Sequence, residues 1–358
     1  MKPSLNWLLV FVPITLILEH SHTAHASWVF FSAALSIVPI AALIVRSTEQ
    51  LATRTGDAIG GLLNATFGNA PELIITIVAL RAGYVEMVRA SLIGVILANL
   101  LLALGIAFFL GGLRHKVQTY SDKSTRVYST MMLLAAISLA IPAAFSRYFA
   151  PNETLRQEQF LNLGVASLLF VAYLLYLLFS LKTHRGMFER TEGSAHEASD
   201  HGMEQWSVTR AVVSLLAASV FAAWLSEILV GAAAATGQAL GMTELFMGIV
   251  LLAIVGGAAE SASAITVATK NKMDLAIGIA LGSSIQIALF VAPALVFVSY
   301  FIAPQPLELA FSRAEIGTLF LAVLIGTAVC SDGQTNWFKG VQLVTVYLIM
   351  ALLFYFMP

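Results

Sequence analysis

The sequence predicts an all-α integral membrane protein of about eleven transmembrane helices, one N-terminal helix followed by two inverted five-helix repeats. Three observations carry that reading. The 358 residues are 59% hydrophobic and only 11% charged, with a mean hydropathy of +0.86, whereas a soluble domain is about 25% charged. The chain divides into apolar runs long enough to cross a hydrocarbon core about 30 Å thick, which takes about 20 helical residues. One short phrase is also written twice, Gly68-Asn69-Ala70-Pro71-Glu72 and Gly256-Gly257-Ala258-Ala259-Glu260, each time ending in a carboxylate inside such a run.

The runs are Leu5–Leu18, Trp28–Val45, Asp57–Leu80, Val88–Gly112, Val127–Phe145, Phe160–Leu181, Val208–Ala235, Thr243–Thr269, Leu275–Phe301, Ile316–Cys330 and Val341–Phe356. The first also fits a cleaved signal peptide, with Lys2 before a short apolar stretch and Ala24-His25-Ala26 as a small-residue cleavage site. A retained helix is the preferred reading, because the second run follows within ten residues. Residues 1–27 then form this helix and an outer loop, 28–181 the first repeat, 182–207 an acidic cytoplasmic linker and 208–358 the second repeat. In the linker, Glu189, Glu192, His196, Glu197, Asp200, His201 and Glu204 read as a solvated tether, or as a weak cation-sensing segment, since clustered carboxylates suit hard cations.

Lysine and arginine mark the cytoplasmic loops of membrane proteins. Lys2, Arg46, Arg54, Arg114, Lys116, Lys123, Arg126, Lys182, Arg185, Arg190, Arg210, Lys270, Lys272 and Lys339 fall on one side, and Arg81, Arg89, Arg147, Arg156 and Arg313 on the other. The N-terminus is therefore expected in the cytoplasm and the C-terminus outside. Five helices on each side of the linker begin on opposite faces of the membrane, which is the arithmetic of an inverted repeat. One constant offset aligns Gly68 with Gly256, Ala70 with Ala258, Glu72 with Glu260, Glu86 with Asp274 and Gly94 with Gly282.

A net charge of −1 offers nucleic acid no basic field, and Cys330, the only cysteine, reads as a packing residue. Function must come from the carboxylates. A charge at the bilayer centre costs about 2.5–3.5 kcal/mol on the gentlest scale, so such residues face a protein interior or an ion pathway. Around Glu72 and Glu260 stand Gly60, Gly61, Ala65, Gly68, Gly256, Gly257 and Ser261, small residues that let backbones approach and helices break. Asn64, Thr66, Asn69, Asn99, Ser283, Ser284 and Gln286 add neutral oxygens. Calcium takes six to eight oxygen ligands, so two glutamates with these amides and hydroxyls suit it. Protons compete for the same carboxylates, and a site that crosses either protonated or metal-loaded is an exchanger.

At these residues the chain resembles the calcium(cation)/proton antiporters, the CAX family of the cation/calcium exchanger superfamily. Gly68-Asn69-Ala70-Pro71-Glu72-Leu73-Ile74 is similar to the family's first repeat motif, and Gly256 to Glu260 with Gly282-Ser283-Ser284-Ile285-Gln286 to its second. Ser331-Asp332-Gly333-Gln334-Thr335-Asn336-Trp337 is similar to a further family segment. The resemblance implies that Glu72 and Glu260 carry cation and protons, that Asn69, Asn99, Ser283, Ser284 and Gln286 line the path, and that Glu49 and Glu227 stand near the cytoplasmic entrance. It implies calcium as transported substrate, protons and the lipid bilayer as the other partners, no cofactor and no catalysis; a homo-oligomer is also admitted. Two positions depart from the family: Gly257 stands where an asparagine is usual and Ser261 where a histidine is. One amide ligand is thus missing, so sodium or potassium exchange against protons stays open, and Glu260 is expected to lean on Ser283, Ser284 and Gln286.

Other readings rank below this one. Glu19, His20, His22 and His25 crowd one short outer loop, where transition-metal binding competes with a plain surface loop. Asp57, Glu86 and Asp274 read as helix-start caps or dipole partners. A passive channel would need an acidic ring built by oligomerisation. An intramembrane hydrolase would need a nucleophile and base, and no His-rich or Asp-rich catalytic motif lies inside the helices.

Overall fold

A computed structural model describes residues 5–21, 24–55, 57–145, 155–184 and 205–357. The linker carboxylates and histidines named above, and His22 of the outer loop, lie outside the described residues.

The helices are α1 (Leu5–His20), α2 (Ala26–Thr55), α3 (Asp57–Phe67), α4 (Ala70–Arg81), α5 (Val85–His115), α6 (Asp122–Ala144), α7 (Arg156–Thr183), α8 (Val208–Leu240), α9 (Glu244–Gly256), α10 (Ala258–Ala268), α11 (Met273–Ile302), α12 (Arg313–Val329) and α13 (Trp337–Phe356). Among the described residues seven are long and apolar enough to span alone, and α9 with α10 forms an eighth span bent by 56°. The shorter α1, the α3–α4 pair and α12 bring the number of passes to eleven.

Contacts between distant loops check that count, because two segments that touch at one membrane face must be separated by an even number of passes. The two-residue strands β1 (Gln118–Thr119) and β2 (Gln334–Thr335) pair antiparallel, with six passes between them. Gln50 at the end of α2 accepts the Trp206 amide at 2.9 Å, four passes on. Asn162 near the start of α7 bonds the backbone of Leu307 and Leu309 at 2.9 Å each, again across four passes. The helix count read from hydropathy is therefore the structural one.

Local chemistry sets where helices start, break and cross. Asp274 accepts the amide of Ser121 at the start of α6, Glu86 pairs with Arg89 at 2.7 Å in the first turn of α5, and Ser312 with Glu315 forms a capping box on α12. At the first break Pro71 has no amide hydrogen to return to the preceding turn, and Asn69 leaves helical geometry with φ −96° and ψ 22°. At the second break Gly257 does the same with φ −77° and ψ 4°, without a proline. Close crossings use glycine: a Cβ on Gly94 of α5 would run into the Ile249 carbonyl of α9, and one on Gly248 of α9 into the Met87 carbonyl of α5. Helix α1 packs on α2 through a hydrogen bond of 3.0 Å between Thr15 and Ser36.

The face bearing β1 and β2 is laced together. Gln118 donates to the Ala268 carbonyl at 2.9 Å and to Asn271 at 3.0 Å, and Lys339 reaches Asp332 at 2.6 Å and the Val329 carbonyl at 3.0 Å. That ammonium holds the Asp332 carboxyl below the usual carboxylate range. Cys330 is buried beside Tyr120, in the packing role expected of it.

Candidate cation site at the paired helix breaks

Glu72 and Glu260 occupy the same place in their halves, the first turn of the helix that resumes after a break. Each break aims one half-helix C-terminus and one half-helix N-terminus at the interior, the arrangement by which discontinuous helices bind ions at depth. The breaks are brought together by packing: a Cβ on Gly256 would lie 3.2 Å from Cγ of Glu72. The two carboxylates are near enough to repel one another.

Glu72 and Asn69 are buried and Glu260 half-buried, while several of their oxygens stay unspent. Glu72 is 4% exposed and Asn69 0%, yet neither Glu72 oxygen has a hydrogen-bond partner, nor has Asn69 Oδ1 or Glu260 Oε2. A buried polar atom without a partner costs about 1–3 kcal/mol, so four such oxygens on three side chains at the two breaks mark a place for an occupant. The Ser283 hydroxyl stands within hydrogen-bonding reach of the Glu260 carboxylate. Among the described residues no cluster of three or more His, Cys, Asp and Glu forms. The site thus offers two carboxylates plus neutral oxygens, a donor set for a hard cation.

Several residues expected to line the path take more specific positions than their type alone implies. Gln286 turns one end of its amide to the other half: its Oε1 accepts from Nδ2 of Asn69, which leaves the Asn69 carbonyl oxygen as the free end of that amide. Ser284 is fully buried, and its hydroxyl donates to the Ala280 carbonyl at 2.9 Å, within its own helix. Asn99 lies in a π-helical turn, Ala98–Ala103, and faces the second break. A second π-turn, Ile287–Val291, follows Gln286 at the matching position of the other half. Single π-turns inside α-helices are frequent at functional sites. Asn64 is exposed and Thr66 bonds its own helix at 2.8 Å, so neither reaches the carboxylates.

The depth of Glu227 differs from expectation. Glu49 stands beside the Gln50–Trp206 contact at the end of α2. Glu227 lies about 30 Å further along the continuous α8, at 1.5 Å rise per residue. The two acids therefore lie at different depths, Glu227 past the middle of α8, instead of sharing one entrance. Inversion is the reason: Ser47-Thr48-Glu49 and Ser226-Glu227 read as one phrase repeated in opposed halves, with a longer connection in the second, and so are displaced toward opposite faces. Both residues are exposed, and Glu227 shares a stripe of α8 with Val213, Leu216, Val220 and Trp224.

Around the C-terminal end of α2 stands a clasp that residue types alone do not disclose. Trp206 is 5% exposed and lies between Arg46 and Arg210, whose guanidinium carbons are 5.0 Å and 4.6 Å from its ring. Arg54 adds a hydrogen bond of 3.2 Å to its carbonyl. A tryptophan at the end of a polar linker, followed by an apolar run, was the available signal, and only the fold names its partners.

Two broken helices whose breaks meet, each with a buried glutamate oxygen that has no partner, are the architecture of a membrane transporter. The sodium/calcium exchanger protein family model matches residues 25–182 and 210–356. The chain is 41% identical to a Ca(2+)/H(+) antiporter of Aphanothece halophytica, over 98% of this chain and 96% of that one. It is 40% identical to the Ca(2+)/H(+) antiporter ChaA of Bacillus subtilis, over 96% of each. The structure of native YfkE superposes with a TM-score of 0.84 at 36% identity, covering 99% of this chain and 100% of that one. An H+/Ca2+ exchanger CAX crystal structure, at 15% identity, shares the fold with a TM-score of 0.72 over 98% of this chain and 91% of that one. The chain belongs to the sodium/calcium exchanger protein family and, within it, to the CAX antiporters; it is a transporter and not an enzyme.

Proposed function

We propose that the protein exchanges calcium for protons by alternating access, with both competing for Glu72 and Glu260. The observation that carries this reading is the set of buried oxygens on Glu72, Glu260 and Asn69 that no protein donor satisfies. A divalent cation satisfies them as ligands, and protons satisfy the carboxylates by neutralising them. With neither bound, two like charges face each other in a dry interior, which is the state least able to rearrange. Coupling follows, because only the loaded forms cross readily. Relatives named Ca(2+)/H(+) antiporters support calcium as the cargo.

Residues 28–181 and 208–358 act as the two inverted repeats, joined by the acidic linker. The face bearing the β1–β2 pair is cytoplasmic, since the arginine- and lysine-rich loops lie there. Glu49 then stands at the cytoplasmic mouth and Glu227 toward the outer one. The bacterial relative supports a plasma membrane, while relatives named for vacuoles, such as one from Schizosaccharomyces pombe, 37% identical, place the same machine in an organelle. The test is transport by purified protein in liposomes under an imposed pH gradient, comparing calcium, sodium and potassium. Calcium uptake with opposite proton flow is the expected result. Sodium or potassium transport without calcium transport would change the cargo, and cation flux without proton counterflow would overturn antiport.

A further inference from the structure

Glycine at position 257 lacks either of the usual reasons for being there. Its φ of −77° and ψ of 4° are open to any residue, and its counterpart Asn69 has nearly the same backbone, φ −96° and ψ 22°. Space does not require it either. A Cβ on Gly257 would meet the Ala253 carbonyl oxygen at 3.4 Å, Oδ1 of Asn99 at 3.6 Å and Cγ1 of Val95 at 4.0 Å, all ordinary contacts. Gly94 and Gly248, by contrast, would each drive a Cβ into a neighbouring carbonyl. What the missing side chain leaves is space inside the site, bounded by the Asn99 carbonyl. Asn99 is 1% exposed and its Nδ2 has no partner, so no hydrogen bond from that nitrogen fixes the amide.

The two halves therefore present different ligands at equivalent positions. In the first, Asn69 carries a buried, unpartnered amide oxygen at the cap of the helix that bears Glu72, oriented by its bond to Gln286. In the second, nothing attached to position 257 can reach the cation, and the nearest amide oxygen belongs to another helix. A water bound to the cation through its oxygen has two hydrogens to donate, and Asn99 Oδ1 is the acceptor facing that space.

Resting on the calcium/proton reading above, we propose that Gly257 is the specificity-determining position: the cation keeps a water over Gly257, held by Asn99, where the other half supplies the Asn69 amide. Magnesium surrenders water reluctantly, whereas the larger calcium readily exchanges it for protein oxygens, and manganese lies between the two in size. A site that lets the cargo keep a water discriminates weakly between them. Replacing the water with an amide favours calcium.

The experiment measures calcium uptake by liposomes under a pH gradient, with manganese or magnesium as competitor, for wild type, Gly257→Asn and Gly257→Ala. Wild type is expected to be inhibited by both competitors. In Gly257→Asn, the competitor concentration for half inhibition, relative to the calcium KM, should rise about tenfold, the worth of one ligand interaction. Gly257→Ala displaces the water and supplies no ligand, so it should raise the calcium KM and weaken competition as well. This second variant decides the matter where the asparagine variant fails to fold. Unchanged competition in a folded, active variant overturns the proposal while leaving antiport intact. Absence of calcium/proton exchange in wild type instead removes the reading beneath it.

Discussion

Glu72 is where the sequence was most explicit and the structure most specific. A carboxylate repeated in one phrase, at one offset, inside two apolar runs was legible without coordinates because burial of charge is so unfavourable that it rarely happens without purpose. Which neighbours would act as ligands was not legible, since residue type does not reveal where a side chain spends its hydrogen bonds. Ser283 and Ser284 are adjacent and chemically identical, yet one stands by Glu260 and the other bonds Ala280. Ser284→Ala is expected to change the calcium KM less than about twofold, and Ser283→Ala to raise it several-fold, on the scale of a net hydrogen bond of about 1 kcal/mol. Gln286 was likewise visible as an amide and not as the residue orienting Asn69. Gln286→Leu should raise the calcium KM about tenfold with little change in maximal rate, as expected when a ligand loses its orientation; initial-rate uptake over a calcium series checks both.

The helices themselves were legible to within about five residues at each end, because membrane length is written directly into the chain; the exception is α2, which runs ten residues past the expected Val45 to Thr55 through a polar stretch that hydropathy does not count. Their crossings were not. Gly94 and Gly248 align with nothing in hydropathy, and only packing shows that α5 and α9 meet carbonyl to glycine at both positions. Gly94→Val should therefore lower stability by about 1–3 kcal/mol or more, the usual penalty for overpacking, visible as a lower melting temperature of the detergent-solubilised protein. Pro71→Ala acts differently. It restores an amide, yet the second break keeps its geometry with Ala259 at the equivalent position, so the fold, the break and most of the transport should persist. Chromatographic monodispersity alongside uptake checks both.

For the whole molecule, inversion was legible from the linker and the helix count, yet its consequence for Glu227 was not, because a short motif carries no depth. The same symmetry that pairs Glu72 with Glu260 displaces Glu49 and Glu227 toward opposite faces. Orientation in the membrane follows from the loop charges: an alkaline phosphatase fused after residue 356 should be active in a bacterial host, and one fused within the 115–121 loop inactive. The reverse pattern would overturn the orientation proposed from the loop charges. The central claim, that cation and protons share two glutamates, is tested most directly by following isotopic calcium and a pH dye together in liposomes carrying wild type, Glu72→Gln or Glu260→Gln. Wild type should show calcium entering as protons leave, and each variant, folded as judged by chromatography, should lose both fluxes together. Coupled exchange surviving in either variant would contradict the shared site.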